Sequence, residues 1–199
     1  MSVYQLLPPP AFIGEENYAT WHDGFTAEQL DNIVSICDRY PKQEASVGTK
    51  GEVESTVRKT EVSWIDYNAN TGFIYDGLGN IARQLNGQFF NMDIWGFQEH
   101  LQYTVYGDEE SHYTWHMDRG MSRNSGSAPR KLSLVLQLSD PSEYEGGDLQ
   151  LFTQAEPITI EKKRGLIVAF PSFVMHRVTP VTSGIRKTMV VWLTGPSFR

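Results

Sequence analysis

The chain of 199 residues has a single cysteine, Cys37, so no intrachain disulfide can form, and the sequence fits a reducing compartment. It has no excess of positive charge. The formal net charge is −7, which argues against a surface built to hold nucleic-acid phosphates. It has no internal repeat and no strong linker. The stretch Met1 to Phe12 carries neither a basic start nor a long apolar run, so neither a signal peptide nor a membrane span is expected. These absences together predict a soluble, cytoplasmic protein of one domain, 1–199, without membrane or nucleic-acid partners.

Hydrophobic residues make up 40% and aromatics 12% of the chain, enough to bury a sizeable core. The first half, about 1–98, reads as helical. Thr26-Ala-Glu-Gln29 has the form of a capping box, Leu30, Ile33, Val34 and Cys37 follow at helical spacing, and Pro41 stops the run. Cys37 in this pattern is a small core residue rather than a reactive thiol. A second helix fits Ile74, Leu78, Ile81, Ala82, Leu85 and Phe89. Between them, Lys42 to Thr60 is polar and glycine-containing, which predicts a long loop of the kind used as a lid.

From about Glu99 the period changes. Segments near Leu101–Tyr106, Leu132–Leu138, Leu149–Phe152, Ile158–Ile160, Leu166–Phe170 and Thr188–Leu193 are short, apolar and separated by turn residues. Many short strands in one run predict a sandwich or barrel, about 99–199, with the helices packed outside it. Arg119 to Pro129 reads as a second loop. Gly146-Gly147 reads as a hairpin or bulge device, since no helical pattern follows it.

Within the β half stand His116-Met-Asp118, His176 and Arg186. Two imidazoles and a carboxylate can hold one face of Fe(II) and leave the other open. Residues two apart on a strand share a side, so His116 and Asp118 can both turn inward, with His176 brought in by folding. With five histidines in the chain, an HxD pair arises by chance in roughly a quarter of such sequences, so the pair alone decides little. The surroundings add weight. His176 follows the strand-and-turn run Gly165 to Pro171, and Arg186, ten residues later, begins another strand with a planar fork suited to a carboxylate. His22, His100 and His112 match no ligand position and read as surface or hydrogen-bonded histidines. Trp115 and Trp192 read first as core aromatics, with Trp115 a candidate for the substrate mouth.

These residues resemble a known family. Tyr106-Gly107, Tyr113-Thr-Trp-His116-Met-Asp118, Arg130 to Pro141, Tyr144 to Leu149, Phe170 to Pro180 and Arg186-Lys-Thr188 leading to Trp192 are similar to the double-stranded β-helix (jelly-roll) core of prolyl-4-hydroxylase-type 2-oxoglutarate/Fe(II) oxygenases. The resemblance is greatest to the bacterial and phage PKHD-type branch. It implies an α+β fold with supporting N-terminal helices. It implies Fe(II) on His116, Asp118 and His176, and the distal carboxylate of 2-oxoglutarate on Arg186, with Tyr106 facing the cosubstrate and Thr188 supporting the same end. Gln137 stands where some relatives carry a tyrosine that also touches the cosubstrate. The implied reaction is hydroxylation of a C–H bond with O2, 2-oxoglutarate going to succinate and ascorbate keeping iron reduced. A peptide or protein substrate, with proline first, is expected. The alternatives are a free amino acid or small metabolite, or a metal-binding module without catalysis.

Overall fold

The computed structural model describes residues 16–45, 54–107, 110–119 and 128–197. Helix α1, Ala27–Cys37, starts where the local chemistry dictates. Thr26 Oγ1 accepts from Gln29 N at 3.2 Å and Gln29 Oε1 accepts from Thr26 N at 2.9 Å, closing the capping box. Its buried face is Leu30, Ile33 and Cys37. The Cys37 thiol is fully buried, and that burial pushes its pKa up to about 12, so it is inert packing. Helix α2, Gly72–Leu85, buries Ile74, Leu78, Ile81, Ala82 and Leu85, and its end widens into a π-helical turn at Asn86–Phe90. No helix among the described residues is long and apolar enough to cross a membrane.

The strands are β1 (Ala19–Trp21), β2 (Gln43–Glu44), β3 (Arg58–Lys59), β4 (Glu61–Ile65), β5 (Gly96–Phe97), β6 (Leu101–Tyr106), β7 (His112–His116), β8 (Arg130–Gln137), β9 (Tyr144–Gly146), β10 (Leu149–Phe152), β11 (Ile158–Thr159), β12 (Ile167–Pro171), β13 (Met175–Val178), β14 (Val181–Gly184) and β15 (Arg186–Thr194). A major sheet runs β1-β12-β8-β15-β6-β4-β2, with β5 also on β15, and a minor sheet runs β11-β10-β13-β7-β3. Every pairing is antiparallel. One face of the major sheet, with Tyr103, Leu134, Leu136, Met189 and Val191, packs on the helices. The other, with Tyr106, Val135, Val168 and Phe170, packs on Leu149, Leu151, Val178 and Val181. This is the expected jelly-roll core with helical support.

Alternation places Arg186, Thr188, Val190 and Trp192 of β15 on the inner face and Met189, Val191 and Leu193 on the helix side. Both faces are covered, so the middle of the strand, Met189 to Leu193, reads as an unbroken apolar run. Polar residues on its inner face, Arg186 and Thr188 at 1% exposure each, are out of place for a core and mark the site.

The division into a helical first half and a β second half needs correction. β1 joins the major sheet beside β12, β2 and β4 extend its far edge, and β3 extends the minor sheet beside β7. Gln43-Glu44 and Arg58-Lys59 are too short and too polar to show a period of two. They also lie inside the segment Lys42 to Thr60 that was expected to be one long loop, of which residues 46–53 lie outside the described part, as do 120–127 of the second expected loop.

The Gly146-Gly147 device holds. Gly146 has φ +69, and a Cβ there would stand 2.1 Å from Pro180 O. Gly146→Ala therefore meets both left-handed backbone strain of ~1–2 kcal/mol and a backbone clash. The melting temperature is expected to fall by at least ~4 °C, read by circular dichroism. An unchanged melt would show that the β9–β14 corner is not held as described.

Candidate metal centre

The groups that could hold a metal come from two neighbouring strands and the turn that follows one of them. β7 and β13 pair with His116 opposite His176, and then slip by one residue so that Tyr113 faces Val178. The slip is a β-bulge, which re-aims side chains. It lets Tyr113 and His116, three apart, share the inner face, with ring centroids 3.4 Å apart and stacked. Asp118 follows two residues beyond the end of β7.

Each imidazole is oriented by its own backbone. His116 Nδ1 lies 2.8 Å from Thr114 O, and His176 Nδ1 lies 2.9 Å from Val174 O. A carbonyl can only accept, so both Nδ1 atoms carry the proton and both Nε2 lone pairs are free for a metal. Burial, reinforced by His176, pushes the pKa of His116 down to about 3, which keeps it neutral. Burial alone would raise Asp118, but any positive charge on His176 or His116, together with the Ser133 hydroxyl, holds it below the usual carboxylate range. Asp118 Oδ1 is 3.9 Å from His116 Nε2, and Oδ2 is 3.5 Å from His176 Nε2. Two donors each ~2.1 Å from one ion at a right angle stand ~3 Å apart, so slight contraction would close this set on a cation. Among the described residues these three are the group that could hold a metal.

Ser133 Oγ, on β8, donates to Asp118 Oδ2 at 2.7 Å and meets Ser172 Oγ at 2.9 Å. It fixes the carboxylate rotamer from behind. Ser133→Ala is expected to lower Mn(II) affinity ~10–100-fold, measured by calorimetric titration. Unchanged affinity would remove Ser133 from the site.

The triad opens into a cavity of about 370 Å³, within the range of small-molecule sites. Arg186 lies on its wall, 1% exposed, and its Nε and both Nη atoms have no hydrogen-bond partner among the described residues. Its register partner is Tyr106, whose ring centroid is 5.0 Å from the Arg186 Cζ. Gly147 makes room for it, since a Cβ there would sit 2.9 Å from Arg186 Cδ. An orphaned guanidinium beside an inward-facing metal set fits a metal-chelating dicarboxylate. Tyr106 and Thr188 also line the cavity. Gln137 is absent from its lining and donates instead to Glu161 O at 2.6 Å. Trp115 does not line it either, and packs outside against Phe152 and Arg177. His112 bonds to Glu110 O and Thr56 O, away from the ligands.

Other lining residues had no assigned role in the sequence: Arg58, Trp64, Glu99, Gln102, Tyr113, Arg130 and Trp192. Arg130 pairs with both Glu99 oxygens, at 2.7 and 2.5 Å, and lies over the Trp192 ring at 3.6 Å. The buried Trp192 Nε1 has no acceptor.

The fold and site together are a double-stranded β-helix in which two histidines and a carboxylate that could hold a metal share one cavity with a buried arginine. Residues 101–194 match the model of the 2OG-Fe(II) oxygenase superfamily. It is 40% identical over 86 residues to a PKHD-type hydroxylase of Synechococcus sp. (strain CC9311), a match covering 43% of this chain and 38% of the relative. It is 38% identical over 82 residues to one of Hyphomonas neptunium, covering 41% and 37%. The chain thus spans under two fifths of the length of these relatives. In fold it is similar to a Pseudomonas putida prolyl-4-hydroxylase, with a TM-score of 0.73, 20% identity and coverage of 92% of this chain and 95% of the other. It is also similar to a Trichoplax adhaerens prolyl hydroxylase solved with a hypoxia inducible factor peptide fragment, with a TM-score of 0.75, 14% identity and coverage of 91% and 84%.

Proposed function

We propose that this protein is an Fe(II)- and 2-oxoglutarate-dependent dioxygenase that hydroxylates a C–H bond, with a peptidyl proline as substrate. One observation carries the reading. The buried Arg186 guanidinium, with none of its nitrogens partnered, lines the same cavity as His116, Asp118 and His176. A buried cation without a counter-charge is destabilising, and a bound carboxylate removes that penalty. Nothing in a structural or purely metal-sensing module requires it.

His116 Nε2, His176 Nε2 and an Asp118 oxygen would hold the iron. Arg186 would grip the distal carboxylate of 2-oxoglutarate with its planar fork, with Tyr106 and Thr188 lining that end. The bound metal supplies oxygen activation coupled to decarboxylation of 2-oxoglutarate to succinate, with ascorbate as reductant. The chain's own part is to orient the ligands and to wall the site with Trp64, Tyr113 and Trp192. Arg186 and Trp192 stand six residues apart on β15, a span of ~20 Å, which leaves room beyond a five-carbon diacid. Likeness to prolyl hydroxylases, one of them peptide-bound, supports peptidyl proline as the occupant of that room.

The test is succinate formation with Fe(II), ascorbate and 2-oxoglutarate, screened against proline-containing peptides, with mass spectrometry of the peptide. A gain of one oxygen on proline is expected. Stimulation by free amino acids alone would replace the peptidyl reading with the small-molecule one.

A further inference from the structure

Arg58 is a second buried arginine of the cavity, and the mechanism above gives it nothing to do. It is 7% exposed and comes from β3, where it stands opposite Tyr113 in the pairing with β7. Its Nε donates to Thr60 Oγ1 at 3.0 Å, and its Cζ lies 4.6 Å from the Tyr113 ring centroid, the ring that stacks on His116. The Nη atoms make no hydrogen bond and no ion pair with any described residue. The side chain is therefore fixed at its Nε, beside the metal ligands, with its two-pronged end unused.

The charges around it make this position informative. Among the described residues, the ionic groups lining the cavity are Arg58, Glu99, Asp118, Arg130 and Arg186. Glu99 and Arg130 neutralise one another. Fe(II), the Asp118 carboxylate, the Arg186 guanidinium and a 2-oxoglutarate dianion together carry no net charge. Tyr113 supplies none, because burial raises its pKa further above neutrality. Among the described lining residues Arg58 is left as one uncompensated positive charge on a side chain only 7% exposed, where unpaired charge is more destabilising than at the surface.

Resting on the function proposed above, we infer that Arg58 is a substrate subsite and that the substrate brings one carboxylate to it. A monoanion matches the single excess charge, and the free fork suits a bidentate carboxylate. That carboxylate belongs either to an acidic side chain next to the hydroxylated residue in a peptide or to the α-carboxylate of a free amino acid.

Calorimetry on protein loaded with Mn(II) and 2-oxoglutarate tests this. The probes are capped peptides with aspartate or asparagine on either side of proline, and L-proline against L-prolinamide. Wild-type protein is expected to prefer the carboxylate member of one pair by about tenfold or more, and the pair that discriminates identifies the source. Arg58→Gln should bring that preference to about parity while 2-oxoglutarate affinity stays within about twofold, and Arg58→Lys should keep part of it. The proposal is overturned if no pair discriminates in the wild type. It is equally overturned if Arg58→Gln weakens both members of a pair alike, the result expected of a mere prop for Tyr113. Failure of the wild type to bind Mn(II) and 2-oxoglutarate at all would instead remove the oxygenase reading, and this inference with it.

Discussion

Alanine at His176 is expected to give a folded protein that no longer retains Fe(II), or Mn(II), Co(II) or Ni(II) in its place, and that forms no succinate. The loss should exceed the ~10–100-fold that follows removal of an outer partner, because one of three ligands is gone. The same holds for His116→Ala and Asp118→Ala. His176 is 5% exposed and packs on Phe170 at 4.7 Å between centroids, so its removal also leaves a small void. A destabilisation of ~1–3 kcal/mol is therefore expected as a side effect. Far-ultraviolet circular dichroism separates this from unfolding, and calorimetric titration reads the metal. Wild-type metal affinity in all three variants would sink the assignment. The histidines also differ from ordinary core histidines in a way the variants exploit. Their Nδ1 atoms are satisfied by Thr114 O and Val174 O, whereas their Nε2 atoms converge on Asp118.

What the sequence could tell about this site follows from the range over which each determinant acts. The capping box of α1 is confined to Thr26 and Gln29, so it was legible and is present. β8 and β12 are buried along nearly their whole length, and continuous burial writes itself as a continuous apolar run. His116, Asp118, His176 and Arg186 were singled out by residue type, spacing and resemblance, and the fold brings all four to one cavity. The register that does so was not legible. Nothing in the chain announces that His116 pairs with His176, or that a bulge lets Tyr113 share its face. Arg58 was harder still. It stands 58 residues before His116 in a polar segment, and its two-residue strand carries no pattern of its own. Only pairing with β7 brings it to the metal ligands. Trp192 read as a core aromatic, yet it lines the cavity together with Trp64, 6.3 Å away between ring centroids. Which side of a strand faces a cavity is a tertiary fact.

Arg186→Leu is expected to separate binding from stability in opposite directions. Without cosubstrate, Arg186 is a fully buried cation whose three nitrogens have no hydrogen-bond partner among the described residues, with the Tyr106 ring 5.0 Å away. Replacing a buried ionic group by an apolar one of similar reach is neutral or stabilising by ~1–4 kcal/mol. For a chain of this size that corresponds to a rise of ~2–10 °C in melting temperature. The same change removes charge-assisted hydrogen bonds worth ~1.5–3 kcal/mol to a carboxylate, about a tenfold to hundredfold loss of 2-oxoglutarate affinity. The added stability that ligand confers should shrink in step, since ligand stabilises in proportion to the logarithm of its concentration over its dissociation constant. Melts with and without 2-oxoglutarate, on protein loaded with Mn(II), read both effects in one experiment. A variant that melts lower than wild type and binds 2-oxoglutarate normally would make Arg186 a structural residue. A variant that melts at or above wild type while losing the ligand would show that this arginine is kept at the expense of stability because the cosubstrate requires it.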